Sequence, residues 1–288
     1  MLQVLKNTFS HFSESEASQK AAALAYYTVF SMLPMIVIII SVLGAFWGKQ
    51  AVAGEIYLQL KDILGDTASL QIQEVVKNQH VHYNSSITCI IGFVTLFFSA
   101  SGMFNQVHTS FNGIWNIKER PKNGVIRYLT KNLSSILILM LLFSLILIST
   151  SINSLLIKYS KDLHTDYMLL NVYEHIVSFV MIALIFFLMF KSLGDAKVNW
   201  KAALSGGVFT TLMFFGGKIL IGLYIGHSHT STVFGSASVL ALIMLWVYYI
   251  SQIVFLGASF VKVMSDKLGL QILPIHHAVK VEHREVDS

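Results

Sequence analysis

The sequence predicts an all-α, polytopic membrane protein with six transmembrane helices and short amphipathic helices at the membrane interface. Of its 288 residues, 55% are hydrophobic and 12% are charged, whereas a soluble domain carries about 25% charged residues. Several apolar runs reach the length of about 18 residues or more that crosses a bilayer as a helix. A soluble core would have to hide all of these runs. Barrel strands would alternate polar and apolar residues, which these runs do not.

The six predicted spans cover approximately residues 21–47, 86–104, 133–155, 176–190, 202–225 and 233–263. They divide the chain into a cytoplasmic N-terminal amphipathic segment (1–20), a transmembrane domain (21–263) and a cytoplasmic C-terminal tail (264–288). The first apolar run is much longer than the h-region of about 7 to 15 residues in a cleaved signal. We therefore expect it to remain in the mature protein as the first span.

Basic residues orient the predicted bundle. The N-terminal segment, the second and fourth loops and the C-terminal tail together hold 14 Lys and Arg residues, and the other three loops hold 5. The positive-inside rule then places both termini in the cytoplasm. The net charge of +5 is accounted for by this topology and by attraction to anionic membrane lipids, so nucleic acid is not an expected partner.

The first twelve residues predict an interfacial helix. Leu2, Leu5, Phe9 and Phe12 recur at spacings of three and four residues, which places them on one helical face. Ser13 has the spacing from Glu16 that a capping box requires, which predicts the start of the next helix there.

Lys218 is the charged residue that these boundaries place within hydrocarbon. An ionisable side chain there is costly and is a functional candidate by default. Helical spacing puts Thr211 on the same face, so both are candidate substrate-binding residues. The alternative is that Lys218 extends its long side chain to the interface and has no further role.

Pro34 interrupts the first span, because a proline inside a helix removes one backbone hydrogen bond. Broken helices often line the substrate site of transporters, so Pro34, Tyr27 and Ser31 are further candidate substrate-binding residues. The alternative is a static kink with the tyrosines in an interfacial belt. Glycine pairs such as Gly206 with Gly207 predict close helix packing or bending, and glycine-rich faces could also form a homo-oligomer.

Signatures of metal sites, cofactors and enzymes are weak or missing. Cys89 is the single cysteine, and two His-x-His sequences, at His80 and at His227, could hold zinc or sense pH. No carboxylate spacing completes a metal signature, and no P-loop, G-x-S-x-G or H-E-x-x-H sequence is present. We expect no metal, no cofactor and no enzymatic activity.

Three stretches together resemble the YihY/BrkB family of bacterial inner-membrane proteins. The tyrosine, serine and proline of its opening helix correspond to Tyr27, Ser31 and Pro34. The other two stretches are FNGIWNIKERP (111–121), which leads into RYLTKNLSS (127–135), and FGSASVLALIMLWVYYISQIVFLGASF (234–260). One departure is Ser259, where family members usually have a glutamate. The resemblance implies six spans, cytoplasmic termini, an association with virulence or serum resistance, and a role in moving lipids; some members carry a ribonuclease label.

The function that these observations favour is a transporter or flippase-like protein for a lipid or lipid-linked anionic amphiphile of the cell envelope. Lys218 would attract the headgroup. Arg120, Arg127 and Lys131 of the second loop would contact headgroups in the inner leaflet. The alternatives are a membrane scaffold or envelope-resistance factor that transports nothing, and a membrane-bound hydrolase or ribonuclease.

Overall fold

The computed structural model describes residues 2–31, 54, 57, 70, 102–103, 105–119, 167–227, 237–275 and 278–281. The first predicted span is therefore described as far as residue 31. Most of the second predicted span and all of the third lie outside the described residues.

Most of the described residues are helical. The helices are α1 (Leu2–Glu14), α2 (17–31), α3 (105–114, with 102–103 also helical), α4 (Tyr167–Ser192), α5 (Trp200–His227) and α6 (Ala237–Lys267). The last three overlap the predicted spans 176–190, 202–225 and 233–263. Within the described ranges, His175–Ser192 of α4 and Ile243–Lys267 of α6 are long and apolar enough to cross a membrane, by length and composition alone. Six transmembrane helices stay a prediction.

The junction between α1 and α2 differs from the predicted one. Ser13 lies inside α1, and the last turn of α1 closes through a bond from Glu16 N to Ser13 O at 3.1 Å. Glu16 has a φ of 52°, the left-handed conformation that commonly ends a helix. The predicted capping box is therefore wrong, because this serine and glutamate end one helix rather than start the next.

Among the described residues, four short strands form two antiparallel pairs that the sequence analysis did not predict. Strand β1 (Ile117–Glu119) pairs with β4 (Ala278–Lys280), with Lys118 opposite Val279. Strand β2 (Ala196–Lys197) pairs with β3 (Leu273–Pro274). The described part of the predicted C-terminal tail is thus folded against two other segments of the chain.

The chain divides into two compact units. The first comprises Met1–Ser18, Val107–Ile219 and Gln252–Ser288, and the second comprises Gln19–Gln106 and Leu220–Ser251. The first unit contains α1, all four strands, α4, most of α5 and the C-terminal half of α6. Most of the contacts described below belong to it.

Helix α5 buries small residues and exposes large apolar ones. Leu204 and Leu212 are about half exposed, whereas Ala203 and Thr210 are fully buried. Gly207 lies so close to α4 that a Cβ atom on it would be 2.9 Å from Ala183 O. Helix α5 therefore packs through its small residues.

Candidate functional site

Tyr27 and Ser31, two of the predicted substrate-binding residues, lie in the second unit and pack α2 against residues 102–103. Ser31 is buried, and its hydroxyl donates to Thr28 O at 2.9 Å and lies 3.9 Å from Met103 Sδ. Tyr27 is 41% exposed. The edge of its ring covers Gly102, where a Cβ atom would be 3.2 Å from Tyr27 Cδ1. Both residues therefore make helix-packing contacts.

Thr211 and Lys218 lie in the first unit, two turns apart on α5. Thr211 is fully buried, and its hydroxyl donates to Gly207 O at 2.8 Å. The side chain of Lys218 is exposed. The shared helical face thus runs from a packed region at Thr211 to an open one at Lys218.

The predicted site residues are not all described, and those that are fall into two groups. Tyr27 and Ser31 belong to one unit, and Thr211 and Lys218 to the other. Pro34, Arg120, Arg127 and Lys131 lie outside the described residues, as do His80 and the glycine pair Gly44 and Gly48. Substrate binding by these residues stays a prediction.

A buried polar pair that the sequence analysis missed joins α3 to the loop between α4 and α5. Asn112 Nδ2 donates to Asp195 Oδ2 at 2.8 Å, and the backbone N–H of Asp195 donates to Asn112 Oδ1 at 2.9 Å. Both side chains are buried. The amide of Asn112 is thus bound at both ends, and a buried polar group held in this way fixes the relative position of the two segments.

Trp115 completes this contact and adds a third segment. Its indole N–H donates to Ala258 O of α6 at 3.1 Å, and its ring lies over Gly194. A Cβ atom at Gly194 would be 2.7 Å from Trp115 Cζ3, so only glycine fits there. The ring of Phe111 lies 5.1 Å from that of Trp115, 5.8 Å from that of Phe190 and 6.0 Å from that of Phe255.

We call Phe111, Asn112, Trp115, Phe190, Asp195 and Phe255 the Trp115 junction. Its polar groups bond to other parts of the chain and its rings are buried, which describes a rigid support rather than a reaction centre. The FNGIWN sequence contains three of these residues. A tryptophan and an asparagine in a segment between predicted spans were the available signal that this segment is folded.

The two strand pairs lie beside the Trp115 junction. Val281 N donates to Asn116 O at 2.8 Å, and Ile275 N donates to Asp195 O at 3.0 Å. Lys191, in the last turn of α4, donates to Val198 O. The second loop, the fourth loop and the C-terminal segment therefore meet in the first unit.

Helix α1 lies beside the last turns of α6, close enough for charges on α6 to act on His11. His11 lies near Lys262 and Asp266, which form a salt bridge at 2.7 Å. Further along, the Ser18 hydroxyl donates to Gln252 Oε1 at 3.4 Å. Burial lowers the pKa of His11 from its ordinary value of 6.5, as does the charge of Lys262, while Glu14 and Asp266 act in the opposite direction.

Buried side-chain atoms of the first unit that have no hydrogen-bond partner among the described residues include His11 Nδ1, Ser259 Oγ and Ser265 Oγ. Ser259 is fully buried and occupies the position of the glutamate noted in the family resemblance. It lies seven residues from both Gln252 and Asp266, and therefore on the same face of α6. In the part of the chain that the structure describes, no cluster of three or more His, Cys, Asp or Glu residues could hold a metal ion.

A family model described as "Virulence factor BrkB" matches residues 8–279. The chain belongs to the virulence factor BrkB family. The resemblance read from the three sequence stretches is therefore confirmed. Relatives of this BrkB-family chain carry the name "UPF0761 membrane protein" and come from bacteria, which supports a bacterial membrane location.

Three of these relatives show how much of each chain the similarity covers. The protein from Teredinibacter turnerae is 26% identical over 92% of this chain and 61% of its own length. The one from Pseudomonas aeruginosa LESB58 is 28% identical over 87% of this chain and 60% of its own length. The one from Mannheimia succiniciproducens is 26% identical over 90% of this chain and 88% of its own length. This BrkB-family chain thus spans about 60% of the first two relatives, and no solved structure matches it.

Proposed function

We propose that this BrkB-family protein is a transporter or flippase-like protein for an anionic amphiphile, a phospholipid or lipid-linked envelope molecule. The observation that carries the proposal is the exposed ammonium group of Lys218 on α5. If Lys218 instead only extends its side chain to the membrane interface, the experiment below has a different expected result.

Lys218 is the one Asp, Glu, Lys or Arg residue in the sequence from 202 to 227. The side chains exposed on α5 before it, such as Leu204, Val208 and Leu212, are large and apolar. A lysine at the centre of a membrane helix costs about 2.5 to 3.5 kcal/mol on insertion scales. Among the described residues no carboxylate pairs with it, so a lipid phosphate is the anion that the site is suited to hold.

The remaining predicted residues supply the rest of the proposed path. The hydroxyls of Ser31 and Thr211 are buried and donate to carbonyls of their own helices, so a substrate would reach them only if these helix contacts opened. Tyr27 and Pro34 would border the path. Arg120, Arg127 and Lys131 would collect anionic lipid at the cytoplasmic leaflet.

The proposal includes six spans with both termini in the cytoplasm of a bacterial inner membrane. The strand pairings support this topology, because β1 of the second loop and β2 of the fourth loop both pair with the C-terminal segment. Basic residues are concentrated in these segments, and strands that pair with each other must lie on one side of the bilayer.

Lipid movement in proteoliposomes tests the function. Purified protein is reconstituted with a fluorescent phosphatidylglycerol, and the rate at which the probe changes leaflet is measured. We expect Lys218→Ala to lower this rate about tenfold or more, since the loss of a charge-assisted contact of about 1.5 kcal/mol or more has that effect. Lys218→Arg should retain most of the rate because it keeps the charge.

Lys201→Ala is the matched control, since Lys201 is also an exposed lysine on α5 but lies in its first turn. Its rate should equal that of the unaltered protein. Equal loss in both variants would mean that positive charge acts nonspecifically, and an unchanged rate in Lys218→Ala would leave Lys218 with the interfacial role. No lipid movement by the unaltered protein would contradict the proposal as a whole.

A non-transporting scaffold is the second candidate, favoured by the closed polar bonding of the Trp115 junction. Gly206, Gly207 and Gly257 pack against residues of their own chain, so glycine-mediated self-association would have to use other faces. Purification of a stoichiometric partner, together with absence of lipid movement, would favour this candidate. We propose no enzymatic activity; metal-dependent turnover by protein free of soluble nucleases would reverse that.

A further inference from the structure

Helix α1 has three distinct faces. Val4 and Thr8 are buried, and a second face next to theirs carries Leu2, Leu5, Phe9 and Phe12. The remaining face is polar. Leu2 is 86% exposed and Phe9 is 57% exposed, and because they are seven residues apart they project from the same side of the helix. The protein therefore buries one apolar face of α1 and leaves Leu2 and Phe9 of the other exposed, with Leu5 and Phe12 partly buried.

The position of α1 along α6 indicates what covers this second face. His11 lies at the level of Lys262 and Asp266, the salt bridge near the end of the membrane-length segment Ile243–Lys267. Seven residues later, Ser18 is at the level of Gln252, well inside the same segment. The chain thus passes along α6 from its polar end toward its apolar part, and α1 lies at the polar end.

We propose that the face of Leu2, Leu5, Phe9 and Phe12 inserts into the headgroup and acyl boundary of the bilayer that α6 crosses. Amphipathic helices bind membranes in this way, with the apolar face about 5 to 10 Å below the headgroup level. Of the residue types Lys, Arg, Asp and Glu, helix α1 contains only Lys6 and Glu14. Apolar burial rather than charge therefore holds α1 at the membrane boundary. The inference shares with the proposed function only the membrane position of α6, and it holds whether or not the protein moves lipid.

Spin-label accessibility in proteoliposomes tests this placement on the full chain. In a Cys89→Ser background, Phe9→Cys and Leu2→Cys each receive one nitroxide label, and Asn7→Cys on the polar face is the matched control. Collisions with oxygen, which concentrates in lipid, are compared with collisions with a water-soluble nickel chelate. The vesicles contain phosphatidylcholine and phosphatidylglycerol.

We expect the labels at Phe9 and Leu2 to collide mainly with oxygen, and the label at Asn7 mainly with the nickel chelate. Water-like accessibility at both Phe9 and Leu2 would overturn the proposal. Protection of both labels from both reagents, with dipolar broadening between labels, would also overturn it, because a second copy of the chain would then cover the face. All three positions are exposed, so the substitutions leave the packed face of α1 intact.

Discussion

At the scale of single residues, His11 connects pH to the attachment of α1. It faces Lys262 and Asp266 on α6 and Glu14 on its own helix, and burial and Lys262 together lower its pKa. A histidine freed from this contact binds a proton near pH 6.5. Below about pH 6.5 the undocked form therefore binds more protons than the docked form. The attachment of α1 to α6 weakens as the pH falls from 6.5 through the lowered pKa of docked His11.

Hydrogen exchange of the α1 amides, corrected for the intrinsic effect of pH, measures this attachment. We expect exchange in α1 to rise between pH 7.5 and 5, and His11→Gln to remove that rise. Lys262→Gln should make the rise smaller, because it removes a charge that lowers the pKa of docked His11 and so reduces the difference from the undocked form. An identical pH profile in His11→Gln would assign the change to other groups.

Residue-level contacts were the part of the site least accessible from sequence. Asn112 and Asp195 are 83 residues apart, one in α3 and the other in the loop between α4 and α5, and no periodicity relates them. Lys218 was identifiable, because one charge in a long apolar run stands out. Ser259 was noted only by comparison with a family pattern, and its buried hydroxyl without a described partner became visible in the structure.

At the scale of secondary-structure elements, the contact between α5 and α6 depends on residue size. A Cβ atom on Gly206 would overlap Val261 Cγ2 on α6. Gly206→Ala should therefore lower the melting temperature in detergent, with a cost of about 1 to 3 kcal/mol for overpacking. Val261→Ala should lower it as well, by leaving a cavity.

The double variant Gly206→Ala with Val261→Ala should be more stable than the two single effects predict, since the new methyl group occupies the vacated space. We expect a coupling energy of about 1 kcal/mol or more. Gly216→Ala is the control: no described atom lies within 4 Å of a Cβ there, so its melting temperature should stay the same or rise slightly. Additive losses in the double variant would mean that the two helices do not touch at this point.

Long elements were predictable and short ones were not. The apolar runs located α5 and α6 to within about four residues at each end, and α4 to the same extent at its C-terminal end. Helix α4 begins at Tyr167, nine residues before the predicted span, because a helix can continue beyond the apolar run that identifies it. Strands of two or three residues carry too few positions for an alternating pattern, so their pairing could not be read from sequence.

At the scale of the whole molecule, the grouping of basic segments in the first unit makes the topology testable. Ser13, Lys197 and Lys280 are exposed positions in three of these segments. In a Cys89→Ser background, a cysteine at any of them should react with a membrane-impermeant maleimide in inverted inner-membrane vesicles and not in intact spheroplasts. A cysteine at His229, in a predicted outer loop, should show the reverse pattern.

Reaction of Lys197→Cys and Lys280→Cys from opposite sides of the membrane would contradict both the topology and the β2–β3 and β1–β4 pairings that hold their segments in one unit. Family membership and general location followed from the sequence, because composition and three motifs extend over most of the chain. The number of spans and the transported molecule depend on segments and ligands that the described contacts do not include.

Strand β1 can pair with β4 only late in synthesis, because the two strands lie far apart in the sequence. Lys118 leaves the ribosome about 160 residues before its partner Val279, a delay of about 10 to 30 s at ordinary rates of synthesis of about 5 to 20 residues per second. During that time β1 exposes an unpaired strand edge. Strand β1 can therefore reach its paired form only after the last helix has been made.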